Sequence, residues 1–228
     1  CVDTRVQVAL CRLMRARMLL GEHVEEDGTY PVLSQYYDGP GLPFYFDKLS
    51  GREDRVKVRL RTYGFRFGPR APWYLELKRK QDATVSKLRL ELEPGCIDPS
   101  DPRSWDAVRD PRIGAFLAAR DLMQLEPTAQ IWYQRGALAS ADDALRITWD
   151  TTIRALYPGE AMGHPVLYDS ERAAVSDRYA VIEIKAAQTF PHWLVELIRQ
   201  ASLVPESISK YVHAMNALGL SRKVLATC

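Results

Sequence analysis

The sequence predicts an α+β fold: an antiparallel β-barrel with a basic interior and helices packed against its outside. Three observations predict it. Segments in the middle of the chain alternate strictly between charged and aliphatic residues, the period of a strand with two unlike faces. The charged positions favour one sign, because between Arg52 and Arg89 twelve Lys or Arg stand against four acids, whereas the whole chain of 228 residues carries a net charge of only +2. Segments at both ends show the apolar period of amphipathic helices. Like charges facing one another across neighbouring strands repel, so a sheet that collects them needs an anion to hold. Closing the sheet with that face inward makes a cationic tunnel and leaves the Val, Leu and Ile face for helices.

Taken in order, Arg5 to Leu20 places Val6, Leu10, Leu13, Met14 and Leu20 near helical spacing, and Gly21 ends this helix. Tyr30 to Tyr37 is β-branched and aromatic enough for a strand, with Tyr36 and Tyr37 read as packing residues. Gly39, Pro40, Gly41 and Pro43 punctuate, a short element runs from Phe44 to Lys48, and Ser50-Gly51 turns the chain. Val56 to Tyr63 then puts Lys57, Arg59 and Arg61 on one face and Val58 and Leu60 on the other. After a loop from Gly64 to Pro72, Trp73 to Lys80 sets Glu76, Lys78 and Lys80 opposite Leu75 and Leu77. Val85 to Leu92 repeats the pattern with Lys87, Arg89 and Glu91.

Gly95 to Pro111, rich in Asp, Pro and Ser, reads as a surface excursion, and Ile113 to Leu125 as a helix. Strands follow at Gln130 to Leu138, carrying Tyr133 and Arg135 on one face, and at Leu145 to Ile153, carrying Arg146, Thr148 and Asp150. Another runs from Arg178 to Ala186, with Glu183 and Lys185 against Ile182 and Ile184, before helices at Pro191 to Ala201 and Pro205 to Leu218. No repeat, low-complexity tract or linker divides the chain, so residues 1–228 read as one domain.

Composition excludes several classes. With 46% hydrophobic and 26% charged residues the chain is ordinary globular protein. No apolar run approaches the roughly 18 residues of a spanning helix, and no short apolar stretch follows a basic start, so this chain holds no membrane segment and a cytoplasmic location is expected. Cys1, Cys11, Cys96 and Cys228 form no C-x-x-C pair, which argues against a disulfide framework or a zinc site. Nucleic acid is not an expected partner, because base stacking needs aromatics among the basic residues and these faces carry Tyr63 and Tyr133 but few others.

The run Lys57-Val-Arg-Leu-Arg-Thr-Tyr-Gly64, then Leu75-Glu-Leu-Lys-Arg-Lys80 and Ser86-Lys87, resembles the core of the vacuolar transporter chaperone (VTC) domain. That domain is the polyphosphate polymerase family within the triphosphate tunnel metalloenzymes. Tyr133-Gln-Arg135, Arg146-Ile-Thr-Trp-Asp150, Ile182-Glu-Ile-Lys185, Pro191-His-Trp193 and Ser209-Lys210-Tyr211 extend the resemblance in order from about Tyr30 onward. It implies a triphosphate tunnel in which Arg59, Arg61, Lys78 and Lys87 hold substrate phosphates, Arg135 and Arg146 are further phosphate ligands, and Lys210 stands near the tunnel mouth. Lys48, Lys57, Lys80, Arg89, Tyr133 and Lys185 complete the candidate substrate-binding set.

By the same resemblance Glu183 matches the family's metal-binding glutamate, which positions Mn2+ or Mg2+ on the phosphate chain. Glu76 and Asp150 are the other carboxylate candidates for the metal, with Glu76 pairing Lys78 and Asp150 anchoring Arg146 as the alternatives. The implied activity is metal-dependent phosphoryl transfer, most directly synthesis of polyphosphate from ATP. A triphosphatase or polyphosphatase is the alternative, as is a non-catalytic polyphosphate-binding sensor; ATP, triphosphate and polyphosphate are the expected ligands, and no partner protein is assigned. The family opens with a strand of alternating acidic and basic residues, for which Cys1-Val-Asp-Thr4 is too short. A start at cysteine instead of methionine leads to the expectation that the first strand is missing from a truncated chain or lacking in this member.

Overall fold

Every segment of strict alternation forms a strand in the computed structural model, which describes residues 1–21, 28–64, 70–82, 84–160 and 172–220. The elements in order are β1 (Val2–Asp3), α1 (Thr4–Arg15), β2 (Leu19–Leu20), β3 (Tyr30–Asp38), α2 (Pro43–Leu49), β4 (Arg55–Tyr63), β5 (Trp73–Gln81), β6 (Thr84–Leu92), α3 (Ile113–Met123), β7 (Glu126–Ala139), β8 (Leu145–Leu156), β9 (Tyr179–Ala186), α4 (His192–Gln200) and α5 (Lys210–Ala217). Most of the loop expected at 64–72 lies outside the described residues. The fold is α+β, and the strand pairs with assigned registers are antiparallel. The chain divides into two compact units, one of residues 1–31, 133–153 and 175–208 and the other of residues 32–132, 154–174 and 209–228.

In the first unit, β1 pairs with β9, β9 with β8, and β2 with the end of β7. Leu145, Ile147 and Trp149 of β8 point to one side, where they form a core with Leu10, Cys11 and Met14 of α1, Leu138 of β7 and Leu194 of α4. Helices therefore cover the aliphatic face, and Arg146, Thr148 and Asp150 are left on the other. The helix expected to reach Leu20 stops at Arg15, because Leu19 and Leu20 pair instead with Ala139 and Leu138. Val2 and Asp3 add a two-residue strand against Ala180 and Tyr179, and among the described residues β9 beyond Val181 is paired only with β8.

Gly136 of β7 has a specific reason to be glycine: a Cβ built there runs into the indole ring of Trp149. Gly136→Ala is expected to cost about 1–3 kcal/mol by overpacking this core, read as a lowered thermal midpoint. An unchanged midpoint would show that Trp149 can move aside.

In the second unit β3, β4, β5 and β6 are consecutive neighbours, with the start of β7 on the far side of β3. β3 is buried along its whole length. Leu60, Leu75 and Leu90 lie fully buried on successive strands, each worth about 1.5–3 kcal/mol of apolar burial. Within neither unit do backbone hydrogen bonds close a barrel among the described residues; β6 is an edge strand.

The segment read as a surface excursion is pinned to this core. Trp105, in a short 3-10 turn at Pro102–Ala107, is fully buried against Tyr37 with ring centroids 5.0 Å apart. The Tyr37 hydroxyl donates to the Pro99 carbonyl at 2.8 Å. Its Asp and Ser side chains bond the segment's own turns, as Asp98 accepting from Ser100 N at 2.9 Å does, so polar composition here marks turns and not exposure. The short element after Pro43 is helix α2, whose opening N–H groups of Phe44 and Tyr45 donate to the Asp38 carboxylate at 3.0 and 3.1 Å.

Candidate functional site

Register decides which charges of the second unit meet. Across β4, β5 and β6, Lys57, Lys78 and Lys87 stand abreast, since Lys57 pairs with Lys78 and Lys78 with Lys87. The next row on the same face is Arg59, Glu76 and Arg89, and the one after is Arg61, Tyr74 and Glu91. β3 extends the rows, with Tyr36 opposite Arg59 and Ser34 opposite Arg61. Arg55 and Lys80 pair at the other end, and burial, with the nearby Arg55 and Lys80 adding to it, disfavours the charge of Lys48 of α2.

Glu76 sits at the centre of this face and is 2% exposed. Its Oε2 accepts from Arg59 Nε at 2.7 Å, with Arg59 Nη2 at 2.6 Å and Arg61 Nη1 at 3.9 Å. Its Oε1 faces Lys87 Nζ at 3.2 Å and Arg89 Nε at 3.8 Å but accepts a hydrogen bond from neither. Burial works to raise this carboxyl, and Arg59, Arg61 and Lys87 outweigh it, holding it down to about 2. One carboxylate thus serves four cations, and the row of three lysines beside it contains no acid.

The other basic groups are held from the surrounding elements. Arg61 Nε donates to Ser34 Oγ at 3.1 Å, and Arg59 Nη1 to the Tyr36 hydroxyl at 2.9 Å. Lys57 Nζ donates to Ser209 Oγ at 3.2 Å, which ties β4 to the residue before Lys210 at the start of α5. Burial lowers the Lys57 ammonium, and the neighbouring Arg59, Lys48 and Lys78 add to that. Arg89 lies 4.0 Å over the Tyr74 ring. Ser34, Tyr36, Ser209 and Tyr211 are members of this constellation that the sequence reading had left as packing or unassigned. Their signal was the polar alternation Ser34, Tyr36, Asp38 on β3, in step with Arg61 and Arg59.

The remaining candidates belong to the first unit. Arg135 Nε and Nη2 donate to Asp150 Oδ1 and Oδ2 at 2.6 and 2.8 Å, a two-pronged buried pair beside Tyr133, whose ring centroid is 5.2 Å from the guanidinium. Asp150 therefore partners Arg135, not the Arg146 considered from sequence. Arg146 lies opposite Lys185 and reaches Asp143 at 3.3 Å. Glu183 contacts Lys185 Nζ at 3.2 Å and lines, with Ile182, Ile184, Phe190 and Ile198, a mainly apolar cavity of about 770 Å³.

These positions bear on the expected divalent ion. Glu76 is ringed by cations, both Asp150 oxygens are taken by Arg135, and Glu183 stands with Lys185. Among the described residues no group of three or more His, Cys, Asp or Glu side chains could hold a metal ion. Each of the three candidate carboxylates thus stands against a basic side chain of its own unit. What the second unit's face can do is neutralise a chain of negative charge with Arg forks and Lys point charges.

Comparison with known proteins bears out the resemblance to the VTC domain. The VTC domain profile matches residues 4–219. The chain belongs to the VTC domain family. Two curated relatives are each described as vacuolar transporter chaperone complex subunit 4. The Trypanosoma cruzi relative is 25% identical over 227 residues, covering 82% of this chain and 28% of its own length. The Trypanosoma brucei brucei relative is 24% identical over 225 residues, again covering 82% of this chain and 28% of its own length. This VTC chain thus spans just over a quarter of the length of those relatives. Among solved structures, a Pyrococcus horikoshii protein aligns over 93% of both chains with TM-score 0.45 and 12% identity. A Bacillus halodurans protein described as a candidate adenylate cyclase aligns over 89% of both with TM-score 0.47 and 15% identity. No helix among the described residues is long and apolar enough to cross a membrane.

Proposed function

We propose that this VTC domain binds the phosphate chain of a triphosphate or polyphosphate on the basic face of β4, β5 and β6, and transfers phosphoryl groups to lengthen polyphosphate from ATP. The observation that carries the reading is the row Lys57, Lys78 and Lys87 beside Arg59, Glu76 and Arg89. Three lysines abreast on neighbouring strands repel one another, and a bound polyanion removes that cost. Phosphoryl transfer asks the protein mainly for positioning and charge neutralisation, which Arg59 and Arg61 supply with planar forks and the lysines with single ammonium groups. Lys210, in the same unit, is a further candidate phosphate ligand, and the candidate roles of Arg135 and Arg146 rest on the family resemblance alone. Dependence on Mn2+ or Mg2+ is the expectation that membership of the family brings.

The test is incubation of the purified chain with ATP, with and without manganese or magnesium, resolving long chains by gel and free orthophosphate by colour assay. Long chains are the expected product. Orthophosphate alone would replace synthesis with hydrolysis, and tight tripolyphosphate binding without turnover in any metal would make the domain a sensor. Failure to bind tripolyphosphate at all would remove the phosphate-chain reading altogether.

A further inference from the structure

Tyr36 stands among the cations as a phenol whose surroundings are more specific than packing requires. Its hydroxyl accepts from Arg59 Nη1 at 2.9 Å, and among the described residues no acceptor takes the hydroxyl's own proton. The ring stacks on Tyr211 with centroids 5.2 Å apart and planes 16° from parallel. Tyr211 in turn donates to Asp38 Oδ2 at 2.8 Å, and Asp38 also accepts from Gly39 N, Phe44 N and Tyr45 N at 2.8, 3.0 and 3.1 Å. The phenol is thus fixed from behind by α5, from the side by Arg59, and holds an unused donor on the face that carries Lys57, Arg59 and Arg61.

We infer that Tyr36 is a substrate-binding residue: its hydroxyl donates a hydrogen bond to an oxygen of the phosphate chain held by Arg59 and Arg61, while Tyr211 and Asp38 keep it in position. This rests on the proposed phosphate-chain reading and adds to it a neutral donor that only the protonated phenol can supply.

The groups around Tyr36 also set when that donor exists. Lys57, Arg59 and Arg61 face it from β4, Glu76 of β5 is bonded to Arg59, Tyr211 and the adjacent Lys210 come from α5, and Ser34 and Asp38 flank it on β3. Burial works to raise the phenol, but Arg59, Arg61 and Lys57 outweigh it and bring it down to about 8. Below that value Tyr36 is a donor to phosphate. Above it the phenolate accepts more strongly from Arg59 and repels the incoming anion.

The experiment titrates tripolyphosphate into the wild-type chain and Tyr36→Phe by calorimetry, one pH unit below and one above that midpoint, with thermal midpoints recorded for both proteins. At the lower pH the variant is expected to bind about tenfold more weakly, as for one lost hydrogen bond to a charged group. At the higher pH the two affinities converge, because the wild-type donor is gone. The ligand's own ionisation is common to both proteins and cancels. Wild-type protein alone gives a second readout: at the higher pH, adding tripolyphosphate reprotonates the phenolate and lowers the tyrosinate ultraviolet absorbance. Equal affinities at the lower pH, or an absorbance unmoved by bound ligand, would overturn the role of Tyr36 and leave the phosphate-chain reading standing. No binding by wild type would overturn both.

Discussion

Arg59→Ala is expected to weaken tripolyphosphate binding by about ten- to a hundredfold, the loss of a charge-assisted hydrogen bond or two. Arg61→Ala is expected to do the same. The two differ in what else they disturb. Arg59 carries the shortest bond to the buried Glu76 and the bond to Tyr36, so its removal strips Glu76 of its closest partner. Arg61 is 3.9 Å from Glu76 and is held chiefly by Ser34. Arg59→Ala should therefore lower the thermal midpoint as well as the affinity, whereas Arg61→Ala should act mainly on affinity. Arg59→Lys separates charge from shape: it keeps the positive charge but loses the planar fork, and recovers only part of the binding. Calorimetric titration at low and moderate salt checks all three, since an inward-working cation also contributes to the salt dependence. Binding unchanged in both alanine variants would show that this face is solvated surface.

The strands of that face were legible because period two in the sequence is the same object as the two faces of a strand. Val56 to Tyr63, Trp73 to Lys80 and Val85 to Leu92 gave β4, β5 and β6 to within one residue at each end. The excess of one sign was legible too, since it needs no register. What stayed hidden depends on which residue stands across. A Glu between Leu75 and Leu77 looks equally like a metal ligand and a counter-ion until pairing puts Arg59 on one side and Arg89 on the other. The same blindness made Asp150 a partner for Arg146, four residues along its own strand, when the partner is Arg135 on another element.

Irregular segments failed for a different reason. Asp, Pro and Ser between Gly95 and Pro111 signalled turns correctly, but turn residues do not report that the single Trp105 among them is buried under Tyr37. At Leu19 and Leu20 a continuing apolar period suggested more helix, yet pairing with β7 took those residues. Tyr36 illustrates both limits. Aromatic residues on a buried strand are ordinarily packing, and nothing local to Tyr36 says that Arg59 and Tyr211 hold its hydroxyl and ring.

Glu76→Gln should move stability and affinity in opposite directions, which no other substitution on this face is expected to do. In the free protein the carboxylate stands against Arg59, Arg61, Lys87 and Arg89, and breaking a buried charge network by removing one partner costs on the order of 3 kcal/mol. Glutamine preserves shape and an acceptor for Arg59, so the fold survives with a lower thermal midpoint. The pH dependence follows the same charge. Because the folded carboxyl lies at about 2, below its usual 4.5, its stabilising contribution is complete above the usual value and is lost as pH falls through about 2. The variant should lack that part of the acid-induced loss. With tripolyphosphate present the order reverses, because the ligand no longer competes with an internal carboxylate for Arg59, and the variant binds more tightly and gains more in thermal midpoint than wild type. Thermal midpoints across acid pH, with and without tripolyphosphate, read both effects. Should Glu76→Gln bind tripolyphosphate as poorly as Arg59→Ala, the carboxylate must be holding the ligand or its metal, and its role as resident counter-ion is wrong.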